Sequence, residues 1–130
     1  MKSSTIFTAK KAAGVYAGKK AAVSSPFTVG YKERVTLRLA APEELLQHIS
    51  MAVMVESDGV YSPVRCQPMG APMSEEYKTS PIFLGKDLKG NYRDTIYLQE
   101  PGTYHLLFKN TEDLTLNEDQ HIVVTAYGRD

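Results

Sequence analysis

The stretch ISMAVMVESDGVYSPVRC, residues 49–66, holds two runs rich in β-branched and apolar residues on either side of Asp58-Gly59. Both turn residues tolerate the positive φ that a type I′ turn requires, so the sequence predicts a two-residue β-hairpin. One face of this hairpin is apolar except at Ser62, which favours its burial. The predicted cross-strand pairs are Ser57 with Val60, Val55 with Ser62, Val53 with Val64, and Met51 with Cys66. Pro63 cannot donate to a ladder, which indicates an edge strand or a bulged one.

The same period of two continues on both sides of the hairpin. Val35, Leu37 and Leu39 alternate with polar residues, which is typical of a half-buried strand. Pro42 to Leu46 predicts a short helical turn, and residues 67–81, with three prolines, predict a long loop. The later predicted strands are Ile82–Leu84, Tyr92–Leu98, Tyr104–Lys109 and Ile122–Tyr127. Seven or eight short strands predict an all-β fold, a two-sheet antiparallel sandwich of immunoglobulin-like or jelly-roll type.

The segment Glu100-x-Gly102-x-Tyr104-x-Leu106 resembles the acid-x-Gly-x-Tyr-x-Cys corner that begins strand F of immunoglobulin-like domains. The resemblance implies that the Tyr104 hydroxyl bonds to the backbone of the preceding turn, so Gly102 and Tyr104 would have structural roles. Asp58 and Gly59 are expected to have a structural role in the hairpin turn. Leu106 stands where those domains have cysteine, and the chain has no tryptophan. The resemblance therefore indicates a sandwich and not an antibody-type family.

The first 25 residues differ from the rest in composition. Residues 1–32 hold six lysines and no acid, whereas the remaining residues hold nine basic and 15 acidic ones, so charges of +6 and −6 cancel to zero. Low apolar content predicts a basic N-terminal arm, residues 1–25, beside a sandwich domain, residues 26–130. If another surface accepts it, the arm is expected to contribute a strand near Thr5 to Thr8. The arm is expected to meet a negative partner, although a solvated tail fits the charge equally well. The candidate partner-binding residues are Lys2, Lys10, Lys11, Lys19 and Lys20.

No constellation typical of catalysis occurs along the chain. His48, His105 and His121 lie far apart in sequence, at no spacing that frames a zinc site. Cys66 is the single cysteine, which excludes an intrachain disulfide and suits a reducing compartment. We therefore expect a protein that is not an enzyme and has neither a metal nor a cofactor.

The chain as a whole resembles, in style, small β-sandwich accessory proteins of tailed-phage virions. The resemblance implies a structural subunit that docks through its arm and sheet edges onto a larger particle, as a capsid decoration, head–tail or tail protein. Its partners would be other protein subunits, including copies of itself, and it would be found in the virion or the cytoplasm of the producing cell. No secretory signal or apolar run of membrane-spanning length occurs in the sequence.

Two other kinds of partner stay open. Nucleic acid is the weaker one, because the lysine-bearing leader has no arginine and few aromatic residues for stacking. The alternative function is a module that binds carbohydrate or another ligand. Its candidate contacts are four tyrosines expected to be exposed on one sheet: Tyr61, Tyr92, Tyr97 and Tyr127.

Overall fold

The computed structural model describes residues 3–10, 21–64, 82–109 and 116–129. In this part of the chain a short 3₁₀ helix, Glu43–His48, is the single helical element, and the rest of the regular structure is β. The all-β prediction is therefore confirmed. The strands are β1 Ser4–Lys10, β2 Ala21–Val23, β3 Phe27–Val29, β4 Arg34–Ala40, β5 Ser50–Ser57, β6 Val60–Pro63, β7 Phe83–Lys86, β8 Tyr92–Arg93, β9 Thr95–Leu98, β10 Gly102–Lys109 and β11 His121–Arg129.

The strands form two antiparallel sheets. The small sheet has the order β1-β11-β4-β9, and the large sheet has the order β2-β10-β5-β7-β8. In the large sheet β3 also pairs with β10, and β6 also pairs with β5. β2 and β3 pair with successive parts of the same side of β10, and β6 and β7 pair with successive parts of the same side of β5. Each of these two pairs of short strands therefore occupies a single strand position in the sheet.

The two sheets share one hydrophobic core. Along β4 the side chains of Val35, Leu37 and Leu39 are buried while Arg34 and Arg38, which alternate with them, are exposed. Phe7 of the small sheet and Phe108 of the large sheet meet in this core, with ring centroids 6.0 Å apart. Burying a side chain of this size contributes about 1.5–3 kcal/mol, so contacts of this kind hold the sheets together.

The predicted hairpin is confirmed for the pairs next to its turn, Ser57 with Val60 and Val55 with Ser62. Asp58 and Gly59 have φ angles of 52° and 80°. The predicted pairing of Met51 with Cys66 is wrong, because Met51 pairs with Leu84 of β7 instead. β6 ends at Pro63, and Ile82 lies beside Val64, where the Ile82 N–H donates to the Val64 carbonyl at 2.9 Å. The long loop predicted at residues 67–81 lies outside the described residues. Cys66 lies outside the described residues.

The strand predicted from Tyr92 to Leu98 is also divided. Tyr92 and Arg93 form β8 in the large sheet, whereas Thr95 to Leu98 form β9 in the small sheet. The chain crosses between the sheets at Asp94, whose carbonyl accepts a hydrogen bond from the Leu39 N–H at 2.7 Å. This contact gives the crossing residue a backbone partner in β4.

The prediction of a separate N-terminal arm is wrong for the leader residues that the structure describes. β1 pairs with β11 along its length, and Ile6, Phe7 and Ala9 are buried in the core. The register shifts between Thr5 and Phe7, so the bulge allows two consecutive residues, Ile6 and Phe7, to face inward. This bulge breaks the period of two, which is why the strand pattern is hard to recognise in the sequence.

The predicted boundary between residues 25 and 26 falls inside a contact that joins the two sheets. Ser24 is buried between β2 and β3, and its hydroxyl accepts a hydrogen bond from the Leu106 N–H at 2.8 Å. The next residue, Ser25, donates its N–H to the carbonyl of Ile6 at 2.9 Å. Since Ile6 belongs to the small sheet and Leu106 to the large one, this pair of serines closes one side of the fold. Residues 21–25 are therefore part of the domain.

We expect Phe7→Ala to lower the free energy of unfolding by about 3–5 kcal/mol, because it empties a buried aromatic position in the core. Urea unfolding followed by circular dichroism measures the change. Tyr31→Ala is the control, since the Tyr31 side chain is 83% exposed. A dispensable arm would instead leave the Phe7 variant as stable as the control.

We expect Ser24→Ala to cost about 1–3 kcal/mol, because the Leu106 N–H then loses its acceptor in a buried place. Ser25→Ala is the matched control, since the contact made by Ser25 uses its backbone N–H, which alanine keeps. Equal unfolding midpoints for the two variants would contradict the proposed closure through the Ser24 hydroxyl.

Candidate functional site

The lysines predicted to bind a partner are only partly located. Lys2, Lys11, Lys19 and Lys20 lie outside the described residues, and Lys10 is the last residue of β1, opposite His121. β2 begins in the large sheet at Ala21, opposite Lys109. Lys109 and His121 are also the flanks of the acid-rich segment that joins β10 to β11. The described residues that flank the basic segment are therefore paired with those that flank the acidic segment.

The four residues that we predict to have structural roles each lie in a turn or next to one. The Tyr104 hydroxyl donates to the carbonyl of Glu100 at 2.6 Å, across the turn between β9 and β10. The Tyr104 ring stacks on Phe27, with centroids 5.8 Å apart. Gly102 begins β10 opposite Val29, and Asp58 and Gly59 form the exposed hairpin turn. These residues stabilise the fold and do not converge on a common site.

The histidines are in three separate places. His48 ends the 3₁₀ helix, His105 lies on the outer face of the large sheet, and His121 begins β11. Among the described residues, no three side chains of the metal-ligating types are grouped to hold an ion. The described part of the chain also has no helix of the length and apolar character needed to cross a membrane.

The outer face of the large sheet carries an apolar patch. Leu107 lies directly between Val23 on one side and Ala52 on the other, and Phe83 is the next partner of Ala52. Met54 lies two residues along β5 from Ala52, so it points to the same face. Val23 is 56% exposed, and the other four are half-buried. We call these five residues the outer apolar patch. A solvated sheet face normally carries polar residues, so the patch stands out.

His105 borders this patch on β10, next to Met54. Its ring lies against that of Tyr61, with centroids 3.8 Å apart. Partial burial disfavours the charged imidazolium, so it lowers the pKa of His105 below the ordinary value of 6.5. The histidine is therefore held toward its neutral form beside an apolar surface.

The outer face of the small sheet has a different chemistry. Tyr127 of β11, Thr36 of β4 and Tyr97 of β9 form one row across the strands. Arg34 and Arg38 lie two residues before and after Thr36 on β4, and both are exposed. Tyr97 is 53% exposed and Tyr127 is 41% exposed. We call these five residues the Arg–Tyr face.

The prediction of four exposed tyrosines on one sheet is wrong for two of them. Tyr97 and Tyr127 share the Arg–Tyr face, but Tyr61 belongs to β6 in the large sheet and covers His105. Tyr92 belongs to β8, and its hydroxyl is buried without a hydrogen-bond partner among the described residues. Burial and the nearby Asp94 raise the pKa of the Tyr92 hydroxyl. The sequence could not separate the two pairs, because it does not show which strands are neighbours.

Comparisons with protein-family models, curated proteins and solved structures returned no match for this chain.

We expect the pKa of His105, followed by NMR titration, to lie below 6.5 and to rise toward that value in Tyr61→Ala, which removes the ring over the imidazole. Because the unfolded chain has the higher pKa, it binds the proton first as the pH falls below about 6.5. The free energy of unfolding should therefore decrease as the pH falls below about 6.5, and it should decrease less in His105→Gln, which lacks the imidazole. An unchanged midpoint in Tyr61→Ala would contradict the role given to the tyrosine ring.

Proposed function

We propose that the protein is a non-enzymatic structural subunit that assembles with other protein subunits, including copies of itself, through the outer apolar patch. The observation that supports this most is the continuous row Val23, Leu107, Ala52 and Phe83 on an outward-facing sheet surface. Apolar residues that lie together on a surface favour protein association, because contact removes them from water. Docking by a free arm is not part of this proposal, because β1 and β2 are strands of the domain.

The charge distribution favours contact between copies at this patch and disfavours it on the opposite side. The outer apolar patch itself contains no charged residue, so two patches can face each other without repulsion. Two Arg–Tyr faces placed together would instead oppose Arg34 and Arg38 of one copy to the same residues of the other, which is unfavourable. Residues around the patch, such as Glu56 and Arg93, would form the polar rim that interfaces usually have.

We further infer that the two sheets form a β-sandwich of jelly-roll type. In its support, the chain changes sheet after β1, β3, β4, β8, β9 and β10, and its first and last strands are neighbours. Immunoglobulin-like domains keep the two strands after the tyrosine corner in one sheet. Here β10 and β11 belong to different sheets, so the corner at Tyr104 is shared with that fold while the connectivity is not.

The setting that we propose is that of an accessory protein of a tailed-phage virion, in a decoration, head–tail or tail position. Jelly rolls are frequent in viral capsid proteins as well as in lectins, so this part of the proposal is an analogy at the level of the fold. A subunit of this kind acts through buried interface area and not through chemistry.

Sedimentation velocity of the full chain, from low to high micromolar concentration, tests the association. We expect reversible oligomers, and we expect Leu107→Glu to weaken them by about 2 kcal/mol or more, roughly 30-fold in the dissociation constant, because it places a charge in the contact. Thr36→Glu, on the opposite face of the fold, is the matched control. A monomer at every concentration, or equal association of both variants, would overturn the proposal.

A further inference from the structure

We propose that the Arg–Tyr face is a binding site for single-stranded nucleic acid, a property independent of assembly through the outer apolar patch. The starting observation is the charge of the small sheet. Its four strands contain no Asp or Glu, although the whole chain has as many acidic as basic residues. The basic residues of these strands are Lys10, Arg34, Arg38 and Arg129. A sheet of this composition attracts a polyanion.

The geometry places cations and aromatic rings around one centre. Arg34 and Arg38 lie on either side of Thr36 along β4, each about 7 Å away at the usual rise per residue. Tyr97 and Tyr127 lie on either side of Thr36 across the sheet, each about 5 Å away at the usual strand spacing. Both tyrosines are partly exposed, so their rings are accessible on the surface that carries the arginines.

Two carboxylates close in sequence to this face, those of Glu33 and Asp94, have local partners. Glu33, before β4, accepts a hydrogen bond from the Gly30 N–H at 2.7 Å. Asp94, before β9, accepts one from the Thr95 hydroxyl at 3.2 Å. Both residues lie in turns at strand ends and not within the face. The arginines therefore present donors on a surface that has no acidic residue of its own.

The chemistry of the face fits nucleic acid better than it fits the other polyanions. Phosphates need hydrogen-bond donors, which arginine supplies, and unpaired bases stack on aromatic rings. An acidic protein surface would also be attracted by the arginines, but its carboxylates would not stack on the two tyrosine rings as unpaired bases do. Sugar hydroxyls also need good acceptors, and the face has neither a carboxylate nor an amide side chain. A flat sheet suits splayed single strands, whereas readout of a DNA duplex usually needs an element that enters a groove.

The lack of arginine and the scarcity of aromatic residues, which disfavour nucleic-acid binding by the leader, do not apply to the small sheet. The leader has lysines without arginine and with few aromatics, but the small sheet has two arginines on β4 and a tyrosine on each neighbouring strand. Reading the site from the sequence is not possible, because its members come from three strands that are distant along the chain. Only the pairing of β11, β4 and β9 brings them together.

Fluorescence anisotropy with a labelled oligothymidine of about 12 nucleotides, within the usual site size of a sheet-based single-strand binder, tests this proposal. We expect binding at low salt that weakens as salt is raised, with a slope of about −1.4 in log K against log salt if two phosphates are contacted. Tyr97→Ala should weaken binding by roughly five- to 150-fold through lost stacking. Arg38→Ala should also make this salt dependence shallower, reducing the magnitude of the slope by about 0.7.

Lys89→Ala and Tyr61→Ala are the controls, since Lys89 lies in the turn between β7 and β8 and Tyr61 lies in β6, both on the side of the large sheet. Leu107→Glu should also bind as the wild type does. Absence of binding at low salt would overturn the proposal, as would binding that Tyr97→Ala and Arg38→Ala leave unchanged. Equal or tighter binding of duplex DNA, a sulfated polysaccharide or a polyglutamate peptide, lost in the same variants, would also overturn it.

Discussion

The pairing of β1 with β11 is the constraint on which the rest of the structure depends. It places the first described strand at the edge of the small sheet and buries Ile6 and Phe7 against residues of the large sheet. The bulge at Ile6 leaves that residue outside the ladder, and its carbonyl accepts the N–H of Ser25. One short segment thus supplies core side chains to the interior and a backbone bond to the opposite sheet. Without it, β11 would become an edge strand and the core would be open on one side.

With β1 covering β11, the outer faces of the two sheets are the large regular surfaces of the described residues. The two faces differ in chemical character. The large sheet presents an apolar row, because Leu107 and Ala52 are outward positions of adjacent strands. The small sheet presents arginine and tyrosine, because Arg34, Arg38, Tyr97 and Tyr127 are outward positions of adjacent strands. One face therefore favours contact with another apolar surface, and the other favours a polyanion. The two proposed contacts lie on opposite sides of the fold, so variants can alter one without the other.

Much of the fold can be predicted from local patterns, and the surfaces cannot. The Asp58-Gly59 turn and the alternation of Val35, Leu37 and Leu39 are local signals, and the structure contains both. The leader is misjudged because a bulge breaks its period and a serine hydroxyl replaces a ladder bond at Ser24. Both surfaces depend on which strands are neighbours, which is decided by long-range pairing. Leu107 and Ala52 are 55 positions apart in the chain, yet they lie side by side.

Hydrogen exchange of the backbone amides, resolved by residue, tests most directly the claim that β1 is a strand of the core. Amides that are bonded within a stable sheet exchange only when that sheet opens. We predict that the ladder-bonded amides of β1 exchange as slowly as those of β11 and β4, and that the Ser25 amide is protected with them. Exchange of the β1 amides at the rate of an unstructured peptide, while β11 and β4 stay protected, would contradict the account.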